Sequence, residues 1–389
     1  MNQPKFDEIV DFIHSTYPGT GIIPLHSPVF KGKEKDYLLS CIDSTFVSSV
    51  GQYVDKFEEV VATYTGSKKA VVTVNGTNAL HLALLAAGVK HDDEVITQPV
   101  TFIATANAIA YCNAHPVFID VDRDTLGLSP EKLDSWLKLN TETRKNQNSN
   151  SYGLYNKHTG RKISAVVPMH TFGHPCRIED IVEICNQHNI PVVEDAAESL
   201  GSFYKGRHTG TFSKMGVLSF NGNKIVTTGG GGMILTDDVE LGKKLKHLTT
   251  QAKVPHPWEF YHDEVGYNYR MPNINAALGV AQMEQIEIFL KNKRETALRY
   301  KAYFESIDVN FFTEPVHSKS NYWLNAIVLS DRAERDSFLA YSNDKGIATR
   351  PMWTLMNKLP MFKNEQTDDL TNAQWLEDRV VNIPSSVRI

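Results

Sequence analysis

Short apolar segments that resemble buried strands alternate with longer helical patterns through most of this chain. The strand candidates are residues 70–74, 94–97, 116–121, 163–169 and 191–194, and the helix candidates among them are residues 78–87, 104–111 and 178–187. Nearly continuous apolar strands separated by helices are typical of a parallel sheet that is covered on both faces. The pattern therefore predicts an α/β fold with a mostly parallel sheet flanked by helices.

The organisation into domains follows from the length and from one long helical pattern. The 389 residues are too many for one ordinary core. Residues 273–303 predict a long amphipathic helix, of the kind that often links a large domain to a small one. We predict a large domain with an N-terminal helical segment over residues 1–305, and a smaller α+β C-terminal domain over residues 306–389. The polar segment 139–161 predicts a surface excursion or a hairpin on the sheet.

The composition argues against several classes of protein. The chain is 41% hydrophobic and 22% charged, as in a folded enzyme, and its formal net charge of -5 argues against a nucleic-acid partner. The four cysteines form no C-x-x-C pair, so we expect free thiols in a reducing compartment and no metal. The charged N-terminus and the lack of an apolar run of roughly 20 residues predict a cytoplasmic protein without a membrane partner.

The segment Asn75-Gly76-Thr77-Asn78 lies between a predicted strand and a predicted helix. Gly76 permits a close approach of the backbone, and Thr77 offers a hydroxyl beside the free amides of a helix start, which suit a phosphate. The alternative is an ordinary helix cap, because Thr and Asn favour that position.

A second segment ends a predicted buried strand in carboxylates, at Glu194, Asp195 and Glu198. Ligands of open α/β sheets bind at such strand ends. An acid in this place can accept a charge-assisted hydrogen bond from a protonated pyridine nitrogen. The alternative, at least as good on this segment alone, is an acid that caps the next turn.

A third segment places Lys224 after Asn221-Gly222-Asn223 and before the glycines 229–232. A lysine among small residues can approach an aldehyde closely, and desolvation would favour its neutral amine. The alternative is a surface lysine before a flexible turn. A dinucleotide-binding loop does not fit, because its glycines should open the first βα unit.

The three segments together, in this order, supply the parts of a pyridoxal 5'-phosphate site: a phosphate cradle, an acid at a strand end and a lysine flanked by glycines. Phe102 adds an aromatic ring that can stack on the pyridine, with ordinary core packing as its alternative.

These residues resemble the DegT-type sugar-nucleotide aminotransferases, which have the fold type I pyridoxal-phosphate scaffold. The resemblance runs from about residue 24 to about residue 299 and rests on the motifs NGTNALHLALLAAGV (75–89), VVEDAAESLGSFYKGRHTGTF (192–212), SFNGNKIVTTGGGGM (219–233) and GYNYRMPNINAALG (266–279). Within the family, residues 23–58, 168–185 and 248–270 are most similar to the branch that makes 4-amino sugars for bacillosamine and legionaminic acid. That branch implies a UDP-linked 4-keto-6-deoxy-N-acetylhexosamine as the amino acceptor.

The resemblance assigns roles to individual residues. Lys224 would form a Schiff base with the cofactor, and Asp195 would bind the pyridine nitrogen. Gly76, Thr77 and Ser219 would bind the cofactor phosphate, and Phe102 would stack on the ring. Glu198 would lie near the cofactor hydroxyl, where many relatives have Gln or His. Asn223 and, from a neighbouring subunit, Asn268 complete the residues assigned to the cofactor. Arg270 and Arg350 are candidate substrate ligands. The expected assembly is a homodimer with shared active sites.

The implied activity is a transamination from L-glutamate to the 4-keto group of the nucleotide sugar. The same reaction on a GDP- or dTDP-linked sugar is an alternative. A sugar dehydratase on this scaffold would lack a lysine at position 224. A non-catalytic sugar-nucleotide sensor would not need both Lys224 and Asp195, and the sequence has both.

Overall fold

The computed structural model describes residues 3–19, 21–145 and 152–388. The α-helices are α1 (Gln3–Thr16), α2 (Glu34–Asp43), α3 (Gln52–Thr65), α4 (Gly76–Ala87), α5 (Ile103–Tyr111), α6 (Pro130–Asn140), α7 (Ile178–Gln187), α8 (Val239–Thr249), α9 (Asn273–Met283), α10 (Ile286–Ser306), α11 (Arg332–Asp344) and α12 (Thr371–Glu377). Short 3-10 helices cover Thr171–Gly173 and Met356–Lys358. Within these described residues, no helix is both long enough and apolar enough to cross a bilayer.

The strands follow the same chain order. They are β1 (Lys69–Thr73), β2 (Glu94–Thr97), β3 (His115–Phe118), β4 (Thr141–Lys145), β5 (Tyr152–Asn156), β6 (Ile163–Val167), β7 (Val193–Asp195), β8 (Phe203–Tyr204), β9 (Arg207–His208), β10 (Met215–Ser219), β11 (Gly232–Thr236), β12 (Asn310–Phe311), β13 (Ser318–Lys319), β14 (Asn325–Val328), β15 (Arg350–Pro351) and β16 (Val380–Ile383).

The central sheet has the order β1-β11-β10-β7 followed by β6-β2-β3. Parallel bridges from Val166 to Val192 and from Met169 to Asp195 join the two parts at β6 and β7. Only β11 runs antiparallel to its neighbours in this sheet. The predicted mostly parallel α/β sheet is therefore confirmed, and it brings the carboxyl ends of β7 and β10 side by side.

Helices cover both faces of the central sheet, as the continuous apolar strands require. One face packs against α3 and α9, with Phe57, Phe220 and Met271 in its buried cluster. The other face packs against α4, α5 and α8, with Val71 and Leu82 in a second cluster. Burial on both faces explains why the strands lack an apolar–polar alternation.

A second, antiparallel sheet follows in the order β12-β14-β16-β15. Its buried cluster includes Tyr300 of α10, Phe338 of α11 and Val381 of β16. Phe6 and Ile13 of α1 belong to the same cluster, so the N-terminal helix packs against this sheet. The boundary predicted at residues 305 and 306 stays a prediction, but the grouping of α1 with the first domain does not match this packing.

The predicted single helix over residues 273–303 is wrong, because two helices replace it. α9 ends at Met283 and α10 begins at Ile286. The amide of Gln285 donates to Oε1 of Glu34 and to the carbonyl of Ala281, and its backbone N–H bonds to the carbonyl of Gln282, three residues back. These bonds tighten the last turn of α9 and end the helix, which the hydrophobic pattern alone does not reveal.

The polar segment 139–161 forms an antiparallel hairpin of β4 and β5, in agreement with one of the two predicted forms. Residues 146–151, between the two strands, lie outside the described residues.

Candidate active site

A cavity of about 920 Å³ lies at the carboxyl ends of β7 and β10. Its walls come from three parts of the chain: the central sheet with the start of α4, the segment that contains His26, and the second sheet. The predicted residues that line this cavity are Gly76, Thr77, Phe102, Asp195, Glu198, Ser219, Asn223, Lys224 and Arg350. Two predicted site residues, Asn268 and Arg270, do not line it.

The start of α4 forms one end of the cavity. Asn75 caps the helix by accepting a hydrogen bond of 2.8 Å from the backbone N–H of Asn78. A Cβ on Gly76 would lie 3.0 Å from Cβ of Ser219, and a Cβ on Gly232 would lie 2.4 Å from the carbonyl carbon of Asn75. The approach at Gly232 excludes any Cβ, and the approach at Gly76 would force Ser219 to shift. The capping alternative holds for Asn75, while Gly76 and Thr77 face the cavity at the positive end of the helix dipole.

Asp195 lies at the carboxyl end of β7 and is buried. Its Oδ2 accepts a hydrogen bond of 2.6 Å from the hydroxyl of Thr105, and its Oδ1 accepts one of 3.2 Å from the N–H of Ala197. Burial raises the pKa of Asp195, while the hydrogen bond from Thr105 lowers it. A cationic N–H donor in the cavity would stabilise the carboxylate, so this acid suits a protonated pyridine nitrogen.

Lys224 extends into the cavity with 12% of its side chain exposed, which excludes the surface alternative. Its Nζ lies 3.2 Å from Oε1 of Glu198 and 3.9 Å from the centre of the Trp323 ring. The indole N–H of Trp323 donates to the carbonyl of Asn223 at 2.8 Å. The lysine is therefore held between a carboxylate and an aromatic ring, next to a backbone that is itself fixed.

Aromatic rings and one cation form the rest of the wall. Phe102 is 51% exposed and lies in the cavity, so the core-packing alternative is wrong. The ring of Phe102 packs edge-on against the ring of Trp353, with their centres 6.3 Å apart. Arg350 lines the cavity from the second sheet, and its guanidinium donates to Oδ1 of Asn343 and to the carbonyl of Thr349. A positive group at this wall is suited to an anionic substrate.

Two predicted residues lie elsewhere. Arg270 pairs with Glu58 at 3.4 Å and lies 3.6 Å from Asp55, so within one chain these acids, and not a substrate, hold its guanidinium. Its role as a substrate ligand stays a prediction. Asn268 is exposed outside the cavity of its own chain. Its predicted contact with a neighbouring subunit stays a prediction.

Sequence reasoning assigned no role to four residues that shape the site: His26, Thr105, Trp323 and Asn382. Oδ1 of Asn382 is buried and has no hydrogen-bond partner among the described residues. Burial and the charges of Lys293 and Lys224 lower the pKa of His26, which keeps its imidazole neutral. Thr105 could have been identified from the sequence, because its hydroxyl stands among the apolar residues after Phe102. His26, Trp323 and Asn382 come from distant parts of the chain, and no local pattern indicates them.

The residues in this cavity fit pyridoxal 5'-phosphate. The close approach of Gly76 to Ser219 leaves a cradle at a helix start that a larger side chain would fill, which suits the phosphate. Asp195 suits the pyridine nitrogen, and the amine of Lys224 suits the aldehyde. All three groups line one continuous cavity.

Comparisons with known proteins agree with this geometry. A model described as the DegT/DnrJ/EryC1/StrS aminotransferase family matches residues 28–389. The chain is 39% identical over 363 residues to the GDP-perosamine synthase of Escherichia coli O157:H7, covering 93% of each. It is 37% identical over 341 residues to EpsN of Bacillus subtilis (strain 168), whose name describes a pyridoxal phosphate-dependent aminotransferase, covering 87% of this chain and 84% of EpsN. The crystal structure of the aminotransferase TlmJ from Streptoalloteichus hindustanus matches with a TM-score of 0.83 and 25% identity, covering 94% of each chain.

Proposed function

The chain belongs to the DegT/DnrJ/EryC1/StrS aminotransferase family and is a pyridoxal phosphate-dependent sugar aminotransferase, and we propose that it aminates C4 of a nucleotide-linked 4-keto-6-deoxyhexose with L-glutamate as the amino donor. The observation that carries the proposal is the shared cavity of Lys224 and Asp195, with the start of α4 at one end and Arg350 in another wall.

The roles of the residues follow from their places in this cavity. Bound pyridoxal phosphate supplies an aldehyde for the amine of Lys224 and a ring that accepts an electron pair. Gly76, Thr77 and Ser219 would hold its phosphate, and Asp195 would keep its nitrogen protonated. Phe102 would lie against its ring.

Lys224 is the proton carrier of the proposed reaction. A general base must lie within reach of the proton that it abstracts, and its amine must be free and uncharged when it acts. The indole of Trp323 and the carboxylate of Glu198 limit the positions of Nζ to one side of the cavity. The aromatic rings of Phe102 and Trp353 line the same cavity.

Two acceptors are supported by different observations. The relative from Escherichia coli is a GDP-perosamine synthase, and this name favours a GDP-linked 4-keto-6-deoxyhexose. The motif resemblance to the legionaminic acid and bacillosamine branch favours a UDP-linked 4-keto-6-deoxy-N-acetylhexosamine. We take the GDP-linked sugar as the first candidate, because its support covers 93% of the chain and not a few segments.

A spectroscopic experiment tests the donor and the acceptor separately. The purified enzyme is loaded with pyridoxal phosphate, and L-glutamate is added while the visible band is recorded. We expect the band to disappear as the cofactor takes up the amino group. The aminated enzyme is then mixed with GDP-, UDP- and dTDP-linked 4-keto-6-deoxy sugars in separate samples. Recovery of the band identifies the acceptor, and no recovery with any of the three contradicts the proposed acceptor class.

Substitutions at the two key residues test the assignment of the site. Lys224→Ala should abolish turnover, because it removes the amine that carries the proton. Asp195→Asn should reduce turnover by about 100-fold or more, because an amide does not keep the pyridine nitrogen charged; this is the range of contributions of positioned acid–base groups. Lys214→Ala changes an exposed lysine close in sequence and serves as the control, with expected wild-type turnover. A Lys224→Ala enzyme with wild-type turnover would refute the assignment.

A further inference from the structure

Glu198 is placed to act on Lys224 and not only on a cofactor. Its side chain is 1% exposed, and its Oε1 lies 3.2 Å from Nζ of Lys224. A buried carboxylate is costly unless it is paired and hydrogen-bonded, and here both conditions are met. The pair is thus a built feature of the cavity.

A strained turn fixes the second oxygen of Glu198. The backbone N–H of Phe172 donates to Oε2 of Glu198 at 2.9 Å. Phe172 has a φ of 58°, a conformation that non-glycine residues seldom adopt. Gly173 follows with a φ of 92°, where a Cβ would lie 1.9 Å from Oδ1 of Asn321. Such strain persists where the surrounding structure requires it, often at functional sites.

The backbone of Glu198 is held as firmly as its carboxylate. The side-chain amide of Asn321 donates to the carbonyl of Glu198 at 2.8 Å. The centre of the Trp323 ring lies 3.9 Å from Nζ of Lys224. Glu198 and Trp323 therefore both contact the lysine end group, and each is held by hydrogen bonds of its own.

We propose that Glu198 is the positioning residue of Lys224, whose carboxylate holds Nζ in the cavity and stabilises the ammonium that forms during proton transfer. This inference rests on the proposed transamination. When the amine of Lys224 removes the α-proton of the amino donor, the C–H bond breaks and an N–H bond forms. The electron pair of the C–H bond goes to the bound cofactor. The positive charge then appears on Nζ, beside Oε1 of Glu198.

Besides Lys224, the charged group that acts on Glu198 is Asp195, while the neutral imidazole of His26 lies near Lys224 and Lys293. Burial raises the pKa of Glu198 to about 7, and Lys224 opposes the rise. At pH 8 the carboxylate is therefore ionised and can pair with the ammonium. The pairing weakens as the pH falls through about 7 and the carboxyl takes up a proton.

Chemical labelling measures the pairing directly. The enzyme is loaded with pyridoxamine 5'-phosphate, to which Lys224 has no covalent bond, and is treated briefly with acetic anhydride at pH 8. Mass spectrometry gives the acetylation of Lys224 relative to the exposed Lys214. Nζ of Lys224 donates to Oε1 of Glu198, and this bond occupies the amine, so Glu198→Gln should raise the acetylation of Lys224 about tenfold, in line with the loss of a hydrogen bond to a charged group. Glu179→Gln breaks an exposed pair with Lys205 and should leave Lys224 unchanged.

A second variant guards against loss of folding. In Glu198→Asp the carboxylate is one methylene shorter and farther from Nζ, so the acetylation of Lys224 should rise, but less than in Glu198→Gln. Wild-type acetylation of Lys224 in the folded variants overturns the proposal. Because no sugar is present, failure of the proposed acceptor does not affect this result.

The kinetic consequence is measured in the first half of the reaction. With L-glutamate alone, Glu198→Gln should slow the loss of the visible band about tenfold or more, in line with the typical contribution of a hydrogen-bonded charge. The deuterium isotope effect with 2-deuterated L-glutamate should increase, because proton removal becomes the slow step. A slower reaction with an unchanged isotope effect would contradict the role in proton transfer.

Discussion

Two buried carboxylates and one lysine share the cavity, and their balance of charge determines what the site can do. Asp195 is held by Thr105 and Ala197, and Glu198 is held by Phe172 and Lys224. Both acids are buried, with 2% of the surface of Asp195 and 3% of the surface of Glu198 exposed. Since charges in such places are stable only with partners, the two acids keep separate partners and can serve separate purposes.

Single residues were predictable where a local motif identifies them. Lys224 and Asp195 follow from short segments whose glycines and strand ends are visible in the sequence. The contact between Lys224 and Glu198 joins residues that are 26 positions apart and depends on the turn at Phe172. A left-handed phenylalanine leaves no signal in the sequence, so this part of the site could not be predicted.

A buried histidine predicts how the stability of the protein depends on pH. His174 is fully buried between the rings of Phe312 and Tyr322, and burial lowers its pKa to about 3. The unfolded chain binds a proton at this residue below about pH 6.5, whereas the folded chain stays neutral down to about pH 3. The folded state therefore loses stability as the pH falls through this range.

His174→Phe should remove this contribution to acid sensitivity. Between pH 7.5 and pH 5.0, the free energy of unfolding of the wild type should fall by about 2 kcal/mol more than that of the variant. Urea titrations at the two pH values measure the difference. His91→Phe makes the same exchange at an exposed position and should follow the wild type. Equal losses in the wild type and His174→Phe would show that His174 becomes protonated in the folded state.

Secondary-structure elements bring the site residues together through the sheet. β7 and β10 are parallel neighbours, so Asp195 at the end of one strand and Ser219 at the end of the other lie at the same edge. α4 begins at that edge, because Gly76 approaches Ser219 closely. The alternation of strands and helices predicted the end of β7 and the start of α4, but it predicted no strand at β10, so Ser219 was assigned to the site only by the family resemblance. The break at Gln285 was missed, because it depends on hydrogen bonds of one side chain and not on the hydrophobic period.

The turn that supports Glu198 can be tested at Gly173. An alanine there would adopt an unfavourable left-handed conformation and would place its Cβ 1.9 Å from Oδ1 of Asn321. We expect Gly173→Ala to lower the free energy of unfolding by about 2–4 kcal/mol, from backbone strain and overpacking.

Gly88→Ala provides a matched control for this clash. Gly88 has a similar φ of 99°, but no atom lies within 4 Å of the Cβ position. Gly88→Ala should lower the free energy of unfolding by only about 1 kcal/mol, because backbone strain is its one unfavourable effect. Urea unfolding of both variants separates the two contributions. If both lose the same stability, Asn321 yields without cost and the turn is less rigid than the contacts indicate.

At the scale of the whole molecule, one wall of the cavity is held in place by hydrogen bonds between the two ends of the chain. The backbone N–H of Ser385 donates to the carbonyl of Leu25, and that of Ser27 donates to the hydroxyl of Ser386. These bonds join the segment with His26 to the residues after β16. The sequence gives no signal for contacts over more than 350 positions, which explains why this wall of the cavity was not predicted.

Exposed apolar side chains on and after α2 support the predicted homodimer. Leu39, Ile42, Phe46 and Val50 are each more than half exposed, at 57%, 61%, 56% and 67%. Large apolar side chains that are exposed in succession along a helix and the segment after it favour an interface at that surface. Asn268 is exposed as well, outside the cavity of its own chain, as expected of a residue that completes the site of a neighbouring subunit.

The double variant Ile42→Asp with Phe46→Asp tests this assembly. Two charges in an apolar interface remain unpaired, so sedimentation velocity should show a dimer for the wild type and a monomer for the variant. Val316→Asp introduces the same charge at another exposed position, and this control should stay dimeric.

If Asn268 binds the phosphate across the interface, the monomeric variant should also bind pyridoxal phosphate less tightly. The affinity should fall about tenfold or more, because a hydrogen bond to a charged group is lost, and absorbance after dialysis measures the cofactor that is retained. A monomer that binds the cofactor as tightly as the wild type would refute the shared site, and a variant that remains dimeric would show that the subunits meet through another surface.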